Sequence, residues 1–366
     1  MINLFSLIST SLISAVLTWV TIKIYRHFNW LEQPAAEQHP KQKKFKSTHS
    51  QAVPRGGGIP IFFSVLISSL IFLQIDKYLI ALLVGSLILT VTGVLDDILN
   101  IHPYIRIFTG VLAGLIIVGS GIGIAYLTNP FGPGVIHFNT PQLAFEIGGQ
   151  LHTIWILADI FALFFILWNM NIVNWSKGVD GQLPAFVIPA FIIIALLHNS
   201  FSADPTEFNN TILAFIMAGS YIGLLIFNWY PQKIMPGYGG STLAGFFLSV
   251  LAIISGAKVA TTLMVLAIPT ADAIFTIFRR LAKGQSPIWG DREHLHHQLL
   301  DQLGWGRQRI SLFYAATTII LGMLSFYLTT TGKMIMLILS FIFVFGIQIW
   351  ALLNKKNKII NQQKNV

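Results

Sequence analysis

The sequence predicts an all-α polytopic membrane protein of about eleven transmembrane helices, amino terminus outside and carboxyl terminus cytoplasmic. Three observations predict it. Of the 366 residues, 54% are hydrophobic and only 10% charged, and mean hydropathy is +0.69, so a soluble fold would need an implausibly apolar surface. The apolar residues fall in runs close to the ~20 residues that cross a bilayer. The basic residues collect on one side of those runs, as they do in cytoplasmic loops.

The runs lie near residues 2–25, 59–75, 78–95, 104–127, 153–173, 183–198, 211–230, 241–257, 259–278, 310–328 and 334–353. The sixth is short and contains Pro184 and Pro189, so its ends are the least defined. Pro269 should kink the ninth, because proline removes a backbone donor and crowds the preceding turn. With the first residue outside, 20 of the 23 Lys and Arg fall inside, leaving only Lys77, Lys258 and Lys333 outside. The first run lacks a basic segment ahead of it and should stay as an anchor.

The net charge of +9 is accounted for by this inside bias and by anionic lipid headgroups, with no nucleic-acid module. The absence of cysteine excludes disulfides, thiolate nucleophiles and sulfur-bound metals. No fixed-period repeat or separate soluble domain interrupts the runs. Residues 128–152 read as a plain connector, with a small hairpin as the alternative.

Asp96 and Asp97 close the third run in the phrase GVLDDILN. Carboxylates are expensive near an apolar span, so they are either interfacial or used in chemistry. Mg²⁺ bridging to phosphate is one such use, since it is held by one or two carboxylates plus phosphates and waters. The predicted topology brings other polar phrases to the same face: Arg55 with Gly56, Gly57 and Gly58; Asn100; residues 171–181; residues 236–241; and the loop carrying Asp291, Arg292, His294, His296 and His297. Carboxylates, glycines, amides, Arg and His suit a phosphorylated substrate. Three histidines within four residues could also form a zinc tract, but basic neighbours Arg279, Arg280 and Arg292 favour an anionic ligand.

These phrases resemble the polyprenyl-phosphate N-acetylhexosamine-1-phosphate transferases. The matching stretches are VPRGGGIPIF (53–62), GVLDDILN (93–100), NIVNWSKGVDG (171–181), GYGGS (237–241) and the region from ADAIFTIFRRLAKGQSP into DREHLHHQLL (271–300), in the family's order and over nearly the whole chain. The His294-x-His296-His297 pattern resembles the N-acetylglucosamine 1-phosphate branch rather than the muramoyl-pentapeptide branch.

The resemblance implies a single membrane transferase domain over 1–366, with active-site loops near 31–58, 96–103, 174–182, 231–241 and 279–309. It implies transfer of a sugar 1-phosphate from a UDP-sugar to polyprenyl phosphate at a bacterial cytoplasmic membrane, with Mg²⁺ or Mn²⁺ as cofactor. Asp96 and Asp97 would be catalytic, and Asp97 and Asp180 would hold metal. Arg55, Asn100, Asn171, Asn174, Lys177, Asp180, Tyr238, Ser241, Arg292, His294, His296 and His297 would contact substrate. A homodimer is left open.

Two departures bear on the cofactor: the family's pattern has an acid where Lys177 stands and a metal-binding acid where Tyr238 stands. Counting each lost carboxylate and the gained ammonium, the pocket is about three charges more positive. Lys177 could supply charge the metal normally brings, or pair with Asp180 three residues on if the loop is helical. Asp272 is expected to orient a helix or line the site. A silent scaffold and a polyprenyl-lipid transporter remain alternatives, though a transporter would place its polar groups near the bilayer midplane.

Overall fold

The computed structural model describes residues 2–33, 51–147, 150–201, 205–254, 259–286 and 293–364. Among these, seven helices are long and apolar enough to span a membrane: α1 (Ile2–His27), α3 (Lys77–Leu99), α5 (Ile156–Trp175), α7 (Pro205–Asn228), α8 (Gly237–Ile254), α12 (Arg307–Tyr327) and α13 (Thr330–Lys364). The pair α9 (Val259–Val265) and α10 (Ala267–Ala282) makes an eighth if taken as one broken span. Shorter apolar helices α2 (Gly58–Phe72), α4 (Pro103–Gly119) and α6 (Gln182–Phe201) occupy three more of the expected runs, and α11 (Leu295–Asp301) lies in the His loop.

Each expected run thus contains a helix, but two boundaries move. The fourth helix ends at Gly119, where Ser120, Gly121 and Gly123 follow. The fifth begins only at Ile156. Between them, β3 (Tyr126–Thr128) pairs with β4 (Val135–His137), and β5 (Gln142–Ile147) with β6 (Gln150–Trp155), both antiparallel. The connector reading of 128–152 therefore gives way to two hairpins, built on β-prone runs that were too short to stand out beside the helical ones.

The break between α9 and α10 bends the chain by 81°. Pro269 occupies the first turn of α10, where a missing N–H costs no helical bond. The carbonyl it cannot serve, that of Val265, instead accepts a hydrogen bond from Thr318 Oγ1 of α12 at 3.0 Å.

Helix α1 turns a stripe of buried Ser6, Thr10, Ser14, Thr18 and Thr21 inward. Small side chains let backbones approach closely where apolar burial gives no drive in lipid. Ser14 Oγ donates to the Ser220 carbonyl at 2.6 Å, and Thr10 Oγ1 to Ser68 Oγ at 2.7 Å. Helix α8 is the buried centre, with every residue from Gly237 to Ile253 shielded. Its first turn is where the polar segments meet. Strands β1 (Leu31–Glu32) and β2 (Val53–Pro54) pair antiparallel and deliver Arg55 to that point.

Candidate active site

Consecutive helical residues point about 100° apart, so Asp96 and Asp97 at the end of α3 share Arg55 but otherwise meet different neighbours. Asp96 Oδ2 lies 3.4 Å from Arg106 Nη1 of α4 and 3.7 Å from Arg55 Nη2. Asp97 Oδ1 lies 3.4 Å from Arg55 Nε and accepts the Tyr238 N–H at 3.2 Å. That N–H belongs to the first turn of α8, where the helix dipole favours a carboxylate. Arg55 also pairs with Glu32 at 3.2 Å.

Glycines let the segments come this close. Gly237 has φ +69, and a Cβ there would strike the Arg55 carbonyl and Asp97 Oδ2. A Cβ on Gly93 would strike the Gly239 backbone, so α3 and α8 cross in backbone contact one turn from Asp97.

Lys177 lies in the loop after α5. Its Nζ donates to the Gly237 carbonyl at 2.6 Å and to Ser241 Oγ at 2.9 Å, and Ser241 Oγ is 2.8 Å from Asn174 Oδ1. Burial and repulsion from Arg55 lower its pKa to about 7, against the opposing pull of Asp97 and Asp96. The loop is not helical at this point, so Lys177 does not take Asp180 as its partner. Tyr238 turns its ring between two cations, with Arg106 Cζ 5.6 Å and Lys177 Nζ 6.0 Å from its centroid, and its hydroxyl donates to the Arg106 carbonyl at 3.2 Å.

The His loop is tied down by Asp272 of α10, which is fully buried. Its Oδ2 is 3.0 Å from His294 Nδ1, while Oδ1 accepts the Leu295 N–H at 2.8 Å and Gln348 Nε2 of α13 at 2.9 Å. The His294 ring is 6.0 Å from that of Trp175 and stacks over His296 at 5.8 Å, with His297 4.2 Å beyond His296. A Cβ on Gly178 would collide with the His296 ring. The 171–181 segment therefore joins the histidines on one side to the Asp pair on the other.

Asp180 takes other partners. Its Oδ2 accepts the Gln232 N–H at 3.1 Å, its Oδ1 lies 3.9 Å from Arg307 Nε, and its carbonyl accepts Ser311 Oγ at 2.7 Å. It lines a cavity of about 470 Å³ beside the site. Asn171 is exposed and bonds the Leu167 carbonyl of its own helix. Asn100 closes α3 in the left-handed conformation, donating its N–H to the Asp96 carbonyl at 2.9 Å. Arg292 lies outside the described residues.

Sequence reasoning assigned no role to Arg106, Glu32 or Asn228. Asn228, buried at the end of α7, accepts the Gly181 N–H at 3.2 Å and donates to the Ile234 carbonyl at 2.8 Å, bracing both loops. A lone amide closing an apolar run is the signal that could have flagged it.

Among the described residues no three His, Cys, Asp or Glu gather into a group able to hold a metal. Asp96 Oδ1, however, is buried with no hydrogen-bond partner, an uncommon state for a carboxylate oxygen. The residues fit a minimal site in which the Asp pair supplies the protein ligands and phosphate and water the rest.

The family model described as Glycosyl transferase family 4 matches residues 79–256, from α3 through α8. The chain is 24% identical over 302 residues (81% of this chain, 75% of the relative) to the probable undecaprenyl-phosphate N-acetylglucosaminyl 1-phosphate transferase of Bacillus subtilis. It is 27% identical over 310 residues (81% and 79%) to the undecaprenyl-phosphate alpha-N-acetylglucosaminyl 1-phosphate transferase of Yersinia pestis. Over 339 residues (89% and 97%) it is 25% identical to the phospho-N-acetylmuramoyl-pentapeptide-transferase of Bacillus subtilis. With the Asp pair, the glycine crossing and the histidine loop all seated around α8, the chain is similar to glycosyl transferase family 4 over residues 79–256 and to these membrane transferases over most of its length.

Proposed function

We propose that this chain transfers a sugar 1-phosphate, N-acetylglucosamine or a related N-acetylhexosamine, from a UDP-sugar to polyprenyl phosphate as the first membrane step of cell-envelope glycan synthesis. The observation that carries it is the convergence of four sequence-distant polar segments around Asp96 and Asp97, by way of Arg55, Tyr238, Lys177 and the Gly178–His296 contact.

An oxygen of the lipid phosphate attacks the β-phosphorus of the UDP-sugar, and the bond from that phosphorus to the bridging oxygen breaks, releasing UMP. Both reactants are anions, so the protein's work is alignment and charge neutralisation. Arg55 and Arg106 hold the carboxylates and present cationic nitrogens to incoming phosphate. Asp96, with its free Oδ1, faces the attacking phosphate and accepts its proton where one is carried. Lys177 adds an ammonium beside Asp97. His294, His296 and His297 approach the phosphates or the hexosamine, and Asn174 and Asp180 belong to the nucleotide-sugar side. Mg²⁺ or Mn²⁺, held by Asp97 with Asp96 or Asp180, would supply further positive charge to the diphosphate. Eleven spans with the amino terminus outside, in a bacterial cytoplasmic membrane, put this face toward cytosolic nucleotide sugar. The inside excess of Lys and Arg supports that orientation.

The test is to incubate purified protein with radiolabelled UDP-sugars and undecaprenyl phosphate, with and without Mg²⁺. Label entering the lipid fraction with stoichiometric UMP release is expected. No lipid-linked product with any UDP-sugar would leave the silent scaffold as the better reading.

A further inference from the structure

At the end of the molecule opposite the active site, the turn joining β3 to β4 holds an aromatic ring out from the protein. Phe131 at its tip is 82% exposed, a value matched among the large apolar side chains of the described residues only by Tyr327 at the end of α12. The turn is built to do this. Asn129 Oδ1 accepts the Phe131 N–H at 2.9 Å, the Asn129 N–H donates to the Gly134 carbonyl at 3.0 Å, and Pro130 and Pro133 restrict the chain on either side of the ring. The base of the hairpin is fixed to α5: the Ile124 N–H donates to the Ala158 carbonyl at 3.4 Å, and Phe138 stacks on Phe161 with ring centroids 5.1 Å apart.

The height of the ring follows from a tether to the helices. Thr331 Oγ1, in the first turn of α13, donates to the Pro130 carbonyl at 3.1 Å. Helices α12 and α13 are both of spanning length and meet here across Leu328 and Thr329, so this corner marks an edge of the apolar layer. On α12 the exposed Ile319 and Met323 form a row that Tyr327 continues at the same helical spacing of four. An aliphatic row ending in an aromatic ring is the pattern of a span leaving the bilayer. Phe131 is thus held near the level of that ring by a segment that does not itself cross the membrane. Residues 129–134, Asn-Pro-Phe-Gly-Pro-Gly, carry no charge that would resist entry.

We propose that the 129–134 turn is an interfacial anchor, with the Phe131 ring seated among the lipid headgroups and upper acyl chains of the leaflet opposite the active site. The occupant is membrane lipid rather than a second copy of the chain, because the turn continues the lipid-facing surface of α12 and α13, whose spanning segments are only 39% and 22% buried. The anchor ties the connection between α4 and α5 to the α12–α13 corner along the membrane surface. It stands independently of the proposed reaction.

The chain contains no cysteine, so one introduced thiol reports on one place. Phe131→Cys and Gly132→Cys, the latter at a position with room for a side chain, each carry an environment-sensitive fluorophore. The full chain is reconstituted at high dilution, so that most vesicles hold a single copy, in phosphatidylcholine bearing a nitroxide either on the headgroup or at the acyl terminus. Iodide on both sides of the membrane is the aqueous quencher. Both labels should be quenched more by the headgroup nitroxide than by the terminal one, and by iodide several-fold less than the same fluorophore on free N-acetylcysteine. Tyr327→Cys should give the same pattern, whereas Ile319→Cys, about 12 Å deeper by helical rise, should respond most to the terminal nitroxide. Full iodide quenching at 131 and 132 without a nitroxide response would leave the turn in water and overturn the proposal. Protection from iodide with no response to either nitroxide overturns it as well, since protein rather than lipid would then cover the ring. A stronger response to the terminal nitroxide at 131 would equally reject an interfacial position.

Discussion

Lys177 Nζ lies over the face of Tyr238, 6.0 Å from its ring centroid, while donating to the Gly237 carbonyl one residue away. The two residues at which the sequence departs from the pattern it resembles are therefore neighbours. They suit each other: the first turn of α8 carries no acid, and the Tyr238 ring offers the ammonium a negative face. Arg106 on the same ring completes the arrangement.

The first prediction concerns the metal. If Lys177 carries part of the charge a cation would bring, turnover should depend only weakly on Mg²⁺, and Lys177→Ala should lower it. The pair Lys177→Asp with Tyr238→Asp should restore a steep requirement. Titrating Mg²⁺ against initial rate for all three proteins decides it. Ordinary Mg²⁺ dependence in wild type with a fully active Lys177→Ala would make the lysine a bystander.

The Asp pair should be indispensable. Asp96→Asn and Asp97→Asn remove charge but keep shape, so each should cut turnover at least about a hundredfold, the scale of a lost acid–base or charge-stabilising group. Asp97→Asn also weakens the hold on Arg55 and the α8 first turn. Near-normal rates in both folded variants would place the chemistry elsewhere.

pH should act through Lys177. Its folded pKa, about 7, lies below the ordinary lysine value because burial and Arg55 oppose the charged form. Between that value and about 10.4 the unfolded chain binds a proton the folded one does not, so this group's contribution to stability rises with pH across the window. Activity that needs the ammonium runs the other way. The kcat/KM profile, which reports the free enzyme, should fall as pH rises through about 7. Lys177→Arg keeps its charge there, and its profile should stay flat to pH 9. A wild-type profile without that fall would mean the neutral amine suffices.

The membrane class, the convergence of the polar phrases and the interest of Asp96, Asp97 and Lys177 were legible because composition, run length and motif order are properties of the chain itself. Other features depend on three dimensions. Arg106 reads as one more inside cation until α4 folds back on α3, and Asn228 as a helix end until two loops close on it. Asn171 shares the motif phrase yet points outward, since the α5 periodicity, not the phrase, sets its direction. The sequence offers a hairpin only as the second reading of 128–152, because strands of three and six residues beside apolar runs of ~20 leave little pattern to separate them from a connector.

Asp272 should matter to stability before chemistry. It accepts from three buried donors, His294 Nδ1, the Leu295 N–H and Gln348 Nε2, of which only the first has a second partner among the contacts described, Thr276 Oγ1 at 3.4 Å. Asp272→Ala strands them at about 1–3 kcal/mol each before relaxation, so a net loss of about 3 kcal/mol and a lower unfolding temperature are expected. Asp272→Asn retains one carbonyl acceptor and should lose less. Thermal unfolding of the two variants in one detergent reads the order, and equal stability of Asp272→Ala and wild type would show that the loop is anchored by other contacts.

The α3–α8 crossing gives the last prediction. Gly93 touches the Gly239 backbone, and a methyl group there has no flexible side chain to displace, only main chain. Gly93→Ala must push the two helices apart, at the ~1–3 kcal/mol typical of overpacking. The motion separates Asp97 from the Tyr238 N–H that it accepts at 3.2 Å. Turnover should therefore fall by more than tenfold while substrate KM changes less, because misplacement of reacting groups by about 1 Å acts on the chemical step. Gly85→Ala, on the same helix but against the end of the Phe246 ring, has a side chain able to yield and serves as the control. If both variants lose stability equally and neither loses turnover, the backbone contact at Gly93 does not set the position of Asp97.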